Sequence, residues 1–287
     1  MRVLVLGGSL YMGAHLVENL LEAGHRVTIA NRGQSPDPFG SRVAQLRLDR
    51  TDSQSVRTAL TGQQFDWVFD NVAYSSIEVR DVLDCVSPAR YILTSTVSVY
   101  PEMHGGILEA EMDTRHYPLR WVTRDAVTYD EMKRQAECAL FQAYPGVSSA
   151  AVRLPLIMAK NDRSGRLSGY AHMIARGEPI NIDNQDSRLD FIHAPDAGRF
   201  LNWLAGQPIE GPVNASGQGS ATIGELVAAI ERLCGRGAII SPEGAPAPLR
   251  GYTTYGLNTE KARTGGYRFE QISTWLEDTL SFYLSKQ

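Results

Sequence analysis

Short apolar runs alternate with amphipathic segments along the first half of the chain. Runs of strand length and character lie at residues 3–6, 26–30, 43–48, 65–69, 90–94 and 149–154. Between them, apolar residues recur at helical spacing in residues 14–24, 53–60, 75–86 and 128–144. This alternation predicts an α/β fold built on a doubly wound parallel sheet with right-handed crossovers.

Beyond residue 155 the pattern becomes irregular. Residues 102–127 predict a long excursion over the cleft. Residues 160–169 are polar and contain glycine, and shorter helices and strands with many turns are expected after them. Further elements are predicted as a strand at 188–193 and helices at 195–204, 222–233 and 271–284. We expect a main domain of residues 1–155 with roughly 186–215, and a smaller C-terminal domain of residues 156–185 and 216–287.

A glycine-bearing loop, residues 7–13, joins the first strand to the first helix. Strand, glycine loop and helix together are the context of a dinucleotide-binding fingerprint. Glycines let the backbone approach a pyrophosphate, and the helix N-terminus offers N–H groups and a positive dipole end. Leu10 stands where G-x-G-x-x-G has its middle glycine, so the loop alone is a modest signal. A leucine fits such a turn when its φ is negative.

Ligands of doubly wound sheets bind at the carboxyl ends of the strands. The segments that follow Leu6, Ala30, Leu48, Phe69 and Leu93 should therefore line one crevice. That crevice is expected to collect residues 7–13, Asn31, Arg32, Asp49, Asn71 and Thr96.

Tyr129 and Lys133 are four residues apart in a predicted helix, so their side chains share one face. Tyrosine has a pKa of about 10, and a nearby ammonium lowers it toward the range useful for proton transfer. The Thr94, Ser95 and Thr96 hydroxyls lie at the end of the fifth strand, where the crevice is expected. Tyr-x-x-x-Lys is common by chance, but its place after a glycine loop and a Ser/Thr cluster favours a proton-transfer set.

The second strand ends at Asn31 and Arg32 rather than at an acidic residue. An acidic residue there would accept from the ribose 2′-OH of NAD, whereas Arg32 can pair with a 2′-phosphate. The sequence therefore favours NADP over NAD, with a solvated loop arginine as the alternative for Arg32.

Composition narrows the class of protein. The chain has 287 residues, 43% of them hydrophobic and 21% charged, with a net charge of −4, which suits a globular enzyme and disfavours a nucleic-acid binder. No apolar run is long enough for a bilayer. Three widely spaced cysteines favour reduced thiols and a cytoplasmic setting. No metal-ligand spacing is evident, so no metal is expected.

A series of motifs runs through the chain in a fixed order. Residues 6–13 look like Thr-Gly-x-x-Gly-x-x-Gly, and residues 66–73 like Asp-Val-Val-Ile-His-Leu-Ala-Ala. Residues 95–100 look like Ser-Ser-x-x-Val-Tyr-Gly, and residues 190–196 like Asp-Phe-Ile-His-Val-x-Asp. Further matches are Leu48-Asp49 with Asp52, the Tyr129/Lys133 pair, residues 153–155 and residues 257–267. The series resembles the extended short-chain dehydrogenase/reductase superfamily, the branch of nucleotide-sugar epimerases, dehydratases and reductases.

The resemblance implies a Rossmann-type NAD(P)-binding domain with a smaller substrate-binding domain, and a role for each matching residue. Tyr129 would be the general acid/base, Lys133 would lower its pKa and bind the nicotinamide ribose, and Thr96 would orient the substrate oxygen. The expected cofactor-binding residues are Gly7, Gly8, Ser9, Leu10, Tyr11, Met12, Gly13, Asn31, Arg32, Asp49, Arg50, Asn71, Val72, Ala73, Thr94, Tyr129, Lys133, Pro155, Leu156 and Ile157. The expected substrate-binding residues are Ser98, Tyr100, Arg188 and His193.

We expect an NADP-preferring reductase of a keto-sugar, as in a nucleotide-sugar, or of a related ketone. An epimerase with retained NAD is the alternative within the enzyme class, and a non-catalytic or RNA-binding protein is the alternative outside it. Leu189 stands where the branch has an arginine before Asp190, which puts sugar-nucleotide phosphate recognition in doubt. Relatives pair through the helices at 75–86 and 128–144, so a homodimer is expected.

Overall fold

A computed structural model describes residues 1–34, 36, 38–160, 162 and 164–286. The helices are α1 (Tyr11–Glu22), α2 (Ser53–Leu60), α3 (Ser76–Leu83), α4 (Tyr129–Cys138), α5 (Arg166–Arg176), α6 (Ala194–Ala205), α7 (Ile223–Cys234), α8 (Glu260–Thr264) and α9 (Leu276–Leu284). The strands are β1 (Arg2–Leu6), β2 (Arg26–Asn31), β3 (Ala44–Arg47), β4 (Trp67–Asp70), β5 (Arg90–Thr96), β6 (Ser149–Leu154), β7 (Leu156–Met158), β8 (Pro179–Asn181), β9 (Arg188–His193), β10 (Gly211–Asn214), β11 (Ser220–Thr222), β12 (Ile239–Ile240) and β13 (Ala245–Pro246).

The central sheet has the order β10-β6-β5-β4-β1-β2-β3 among the described residues, and every pairing in it is parallel. Leu6 at the end of β1 lies beside Ala30 of β2 and Asp70 of β4. The carboxyl ends of these strands therefore share one edge of the sheet. The predicted doubly wound parallel sheet is confirmed.

Alternate residues of each central strand face opposite sides of the sheet, as the period of two requires. Val3, Val5 and Ile29 face one apolar cluster, which α1 and α6 cover. Leu4 and Leu6 face the other, which α2, α3 and α4 cover. The strands are buried on both faces, which explains why they appear in the sequence as unbroken apolar runs.

A further apolar cluster lies beyond the central sheet. It gathers residues of α5, α7 and α9 with the mixed sheet β11-β9-β7 and the small sheet β12-β8-β13. Phe191 of β9 and Leu156 of β7 belong to this cluster and sit side by side in the strand pairing. Because β7 starts directly after β6, this second body is joined to the carboxyl edge of the central sheet.

Several local predictions were wrong. The shorter helices expected after residues 160–169 were not placed, and α5 already begins inside that stretch, with an apolar face of Leu167, Tyr170, Ala171 and Ile174. The helix predicted from residue 271 begins at Leu276, after a 3₁₀ turn at Ile272–Thr274. The helix predicted over 128–144 is an α-helix from Tyr129 to Cys138 and continues as a π-helix over Ala139–Ala143.

In the part of the chain that the structure describes, no helix combines the length and apolar character needed to cross a membrane.

Candidate active site

A cleft of about 830 Å³ follows the carboxyl edge of the central sheet. The crevice predicted from the strand ends is confirmed, because residues from all five predicted segments line this one cleft. The predicted site residues that line it are Gly7, Ser9, Leu10, Tyr11, Met12, Gly13, Asn31, Arg32, Asp49, Arg50, Asn71, Val72, Thr94, Thr96, Ser98, Tyr129, Lys133, Pro155, Leu156 and Ile157.

The glycine loop is packed too tightly for side chains at its two ends. Gly7 has a φ of 80°, and a Cβ on Gly13 would lie only 2.0 Å from the Gly7 carbonyl oxygen. Leu10 has a φ of −136°, so it fits the turn without backbone strain, as expected. No side chain caps the N-terminus of α1, which leaves backbone N–H donors at the cleft. These features fit the pyrophosphate of a dinucleotide.

Tyr11 carries the left-handed position of the loop, with a φ of 55°. Its hydroxyl donates a hydrogen bond to the carbonyl of Ile157 in β7. Burial is the main cause that raises the pKa of this hydroxyl. Tyr11 therefore ties the glycine loop to the strand that leads into the second body.

The end of β2 is fixed by the side chain of Asn31. Its Nδ2 donates to Ser9 Oγ at 2.7 Å, and its Oδ1 accepts from the backbone N–H of Gly33 at 2.7 Å. This arrangement joins the glycine loop to the turn that carries Arg32, whose side chain lies on the cleft.

Asp49, an acidic residue of the cleft lining, follows β3 and so lies beside the end of β2. Its carboxylate accepts from Thr51 N at 2.9 Å and from Thr51 Oγ1 at 2.7 Å. These hydrogen bonds lower the pKa of Asp49, and the charge of Arg32 lowers it further. Arg32 follows β2 and Asp49 follows β3, so both lie at the β2–β3 edge of the sheet, whereas Thr96 ends β5 on the other side of β1 and β4.

A buried ion pair lies beneath this part of the cleft. Arg50 is 6% exposed and pairs with the fully buried carboxylate of Asp70, which also accepts from the Tyr91 hydroxyl at 2.7 Å. Nε and Nη1 of Arg50 have no partner among the described residues. The pair joins the segment after β3 to the carboxyl end of β4.

Lys133 is 4% exposed and holds three elements together. Its Nζ donates to the carbonyls of Ala73 at 2.7 Å and Thr94 at 2.6 Å, and it lies 5.2 Å from the centre of the Tyr74 ring. The Tyr129 ring lies 5.9 Å from the same Tyr74 ring. Because an ammonium has three N–H donors, one remains available to a ligand.

Thr96 is the last residue of β5 and lines the cleft at the end that Tyr129 also lines, here called the reaction end. Its Oγ1 accepts from the backbone N–H of Ser98 at 3.2 Å, which orients the hydroxyl. Burial raises the pKa of Tyr129, and the interaction of its hydroxyl with Thr96 opposes that rise. The expectation that Lys133 lowers the pKa of Tyr129 stays a prediction. The ammonium is turned toward two backbone carbonyls, and the phenol stays protonated.

Burial lowers the pKa of Lys133 from 10.5 to about 8. Between these pH values the unfolded chain binds a proton that the folded chain does not, so the free energy of unfolding should rise with pH. We expect a rise of about 3 kcal/mol from pH 8 to pH 10.5 from this residue alone, by the linkage relation. Urea unfolding of wild type and Lys133→Met across this range should show the extra rise in wild type only. Parallel curves would contradict it.

Three predicted residues lie just outside the cleft lining. Gly8 packs inward, where a Cβ would lie 2.9 Å from Val17 Cγ2. Ala73 is buried and contributes its carbonyl to Lys133. Tyr100 is also buried and donates to Asn214 Oδ1 at 2.5 Å, so it supports the sheet rather than facing a ligand.

Arg188 and His193 also lie away from the cleft. The Arg188 guanidinium pairs with Glu225 at 2.9 Å at the rim of a smaller pocket. Nδ1 of His193 donates a hydrogen bond to the Glu270 carboxylate at 2.9 Å, and the His193 ring stacks on Trp275. Within the described ranges, His, Cys, Asp and Glu residues form no group of three or more that could hold a metal ion.

Twelve of the described residues that line the cleft are not among the predicted site residues. Six of them lie at or just beyond the ends of predicted strands, namely Leu6, Ala30, Leu48, Ser95, Val97 and Leu154, and the other six are Gln34, Thr51, Tyr74, Arg124, Arg166 and Tyr252. Tyr74 directly follows Ala73, the last residue predicted after β4, so extending the predicted segment by one residue would have included it. Arg124 pairs through two nitrogens with Glu78, at 2.9 and 3.1 Å, and lies 4.3 Å from the centre of the Tyr74 ring. Nothing local signals this contact, because it joins the excursion to α3.

A doubly wound parallel sheet with a tight glycine loop at its carboxyl edge is the architecture of a dinucleotide-binding fold, and a Tyr/Lys/Thr set lies on the same cleft. The sequence profile of the NAD dependent epimerase/dehydratase family matches residues 3–82 and 76–216. The chain belongs to this family.

Two curated relatives show how the family varies. The chain is 25% identical to the chloroplast stem-loop binding protein of 41 kDa b of Arabidopsis thaliana over 252 residues, which cover 82% of this chain and 63% of that protein. It is 29% identical to the 2'-dehydrokanamycin reductase of Streptomyces kanamyceticus over 209 residues, which cover 70% of this chain and 57% of the reductase. Each match spans less than two thirds of the relative's own length.

Solved structures share the fold along almost the whole chain. The UDP-glucose 4-epimerase of Thermotoga maritima, solved with UDP-glucose, has a TM-score of 0.77 at 16% identity and covers 99% of this chain and 98% of its own. The UDP-glucose 4-epimerase of Thermus thermophilus, solved with NAD, has a TM-score of 0.70 at 17% identity, with coverage of 99% and 98%.

Proposed function

We propose that the protein is an NADP-preferring oxidoreductase that reduces a keto group of a nucleotide-sugar or a related small molecule. The observation that carries the proposal is the meeting of Thr96, Tyr129 and Lys133 with the glycine loop on a single cleft. An enzyme of this kind needs a dinucleotide site and a proton donor within reach of the same substrate carbon.

When bound, the nicotinamide would supply the hydride that reduces the carbonyl carbon. Thr96 then orients the carbonyl oxygen by a hydrogen bond, and the Tyr129 hydroxyl gives that oxygen its proton. The Tyr129 phenol carries its proton at working pH, as a proton donor must, but the raised pKa makes it a weaker acid until a neighbouring charge stabilises the phenolate. Lys133 holds the ribose through its remaining N–H, and its charge stabilises the phenolate left on Tyr129. Water then returns a proton to the phenolate.

The substrate would lie between the cleft and the second apolar cluster, which we assign to a substrate-binding domain of residues 156–185 and 216–287. Pro155, Leu156 and Ile157 would cover the nicotinamide, because they lead from the central sheet into that cluster. The names of the relatives support sugar carbonyls and nucleotide-sugars as first candidates, since they include a dehydrokanamycin reductase and a UDP-glucose 4-epimerase.

The proposal is tested by titrating the purified protein with NADPH and NADH, then following NADPH oxidation with a panel of keto-sugars and simple ketones. We expect one dinucleotide per chain and turnover with at least one panel member. Conversion of a nucleotide-sugar to its epimer without net cofactor consumption would instead assign the retained-NAD epimerase. Absence of dinucleotide binding would contradict the proposal and favour the alternative of a non-catalytic or RNA-binding protein.

Arg32 is proposed to select the cofactor. Replacing Arg32 by alanine should weaken NADPH binding by about tenfold to hundredfold, because a charge-assisted hydrogen bond to the 2′-phosphate is lost. NADH binding should stay within about twofold, since NADH has no phosphate there. Isothermal titration of both dinucleotides measures the two effects. Arg47→Ala, on the neighbouring strand, is the matched control, and an unchanged preference in Arg32→Ala would remove this role.

We further propose a homodimer that forms through α3 and α4, as the resemblance implies. Light scattering coupled to gel filtration measures the mass directly, and a monomer at micromolar concentration would contradict the assignment.

A further inference from the structure

The cations of the cleft lining are held in different ways. Arg50 is paired with Asp70, and Arg124 is paired with Glu78. Lys133 is bound by two backbone carbonyls. Each of these groups therefore already has a partner within the protein.

Arg166 differs from these cations. Its side chain lines the cleft, yet that side chain has no hydrogen bond or ion pair with any described residue. Arg166 is the first residue of α5, so its backbone is held at the junction between the cleft and the second body. A half-buried, unpartnered guanidinium in a cleft is a receptor for an anion, because it presents a fixed fork of N–H donors.

Arg166 reaches the cleft from the side of the second apolar cluster, because the next residue, Leu167, belongs to that cluster together with Leu156 of β7. The charge of Arg166 also lowers the pKa of the Tyr129 hydroxyl, against the larger effect of burial. Tyr252 lines the same cleft and also acts on Tyr129. Arg32, by contrast, lies beside Asp49 at the other end. An anion held by Arg166 would therefore belong to the substrate rather than to the adenosine part of a dinucleotide.

The position that carries a phosphate-binding arginine in the resembling branch gives no competing site. Leu189 occupies it and is fully buried. The neighbouring Arg188 is paired with Glu225 outside the cleft.

We propose that Arg166 binds an anionic group of the substrate, a carboxylate or a phosphate, close to the carbonyl that Tyr129 protonates. The proposal rests on the proposed function for the identity of the reacting carbonyl, but anion binding at Arg166 is measurable without turnover. It defines the substrate class as a ketone that carries an acid group, and it makes Arg166 a specificity-determining residue.

Isothermal titration calorimetry at saturating NADP⁺ tests the proposal with three probes. They are 3-oxooctanoate, its neutral methyl ester and UDP-glucose, which separate a carboxylate from a nucleoside diphosphate. The proteins are wild type, Arg166→Gln, Arg166→Lys and the control Arg176→Gln. Arg176 lies in the last turn of the same helix, is exposed and pairs with Glu178. NADP⁺ binding by each variant reports whether the fold is intact.

We expect wild type to bind at least one anionic probe, with affinity reduced by about tenfold to hundredfold in Arg166→Gln and partly restored in Arg166→Lys. The affinity of Arg176→Gln should match wild type, and the ester should bind weakly to every protein. The anionic probe whose affinity falls in Arg166→Gln identifies the acid group that Arg166 binds. Failure of both anionic probes to bind wild type, or equal binding by Arg166→Gln, would overturn the proposal. Neither result depends on whether Tyr129 transfers a proton.

Discussion

Replacing Tyr129 by phenylalanine is expected to lower kcat for NADPH-dependent carbonyl reduction by about 10²–10⁴-fold, the contribution of a positioned general acid. The substitution removes one oxygen from a ring that lies at the start of α4, against the Tyr74 ring and beside Thr96. The dissociation constant for NADPH should change little, because Lys133 and the glycine loop are untouched. Steady-state kinetics and a binding titration on the same preparation separate the two quantities.

Tyr117→Phe is the matched control. The Tyr117 hydroxyl donates to Glu131 of α4, the helix that also carries Tyr129, at 3.0 Å, and Tyr117 does not line the cleft. Its loss should leave kcat within about twofold while lowering the free energy of unfolding by about 1 kcal/mol, the net value of one hydrogen bond. Full activity of Tyr129→Phe would remove the proton-donor role from Tyr129.

Replacing Glu137 by glutamine is expected to lower the free energy of unfolding by about 3–5 kcal/mol, the effect of leaving one member of a buried ion pair uncompensated. The Glu137 and Arg153 side chains are both fully buried, and they are joined by two hydrogen bonds at 3.1 and 2.7 Å. Ser95 and Thr114 also donate to the carboxylate, at 2.5 and 3.0 Å. Urea unfolding followed by circular dichroism measures the loss.

The effect should reach the cleft, because Ser95, which donates to the same carboxylate, lines it. Arg153 also donates to the carbonyls of Glu109 and Met112 in the excursion. An exposed pair provides the control. Glu225→Gln removes the partner of Arg188 at the surface and should cost about 0–1 kcal/mol. Equal losses for Glu137→Gln and Glu225→Gln would show that burial does not govern the Glu137–Arg153 pair.

The central sheet and most of the cleft could be predicted because both follow from local sequence patterns. Strands buried on both faces leave apolar runs, and parallel strands bring their carboxyl ends to one edge. That reasoning placed Asn31, Asp49 and Asn71 on the same cleft as Tyr129 and Lys133. Leu10, the apparent flaw in the glycine loop, fits with a negative φ, and Tyr11 carries the left-handed position instead.

The rest depends on contacts between residues far apart in the chain. Arg124 reaches the cleft because Glu78, 46 residues away, fixes it. The Arg50–Asp70 pair and the turning of Lys133 toward Ala73 and Thr94 likewise require the folded arrangement. The family resemblance implied that Arg188 and His193 bind substrate. Arg188 instead pairs with Glu225 and His193 with Glu270, and these contacts hold both side chains outside the cleft.

We propose that this cleft passes a hydride between a dinucleotide and a substrate carbon. The most direct measurement uses NADPH that carries deuterium in the transferable position at nicotinamide C4, incubated with the protein and the carbonyl panel, with products analysed by mass spectrometry. We expect an alcohol product with one deuterium at the former carbonyl carbon. Formation of a product without deuterium, or binding of NADPH with no transfer to any panel member, would contradict it.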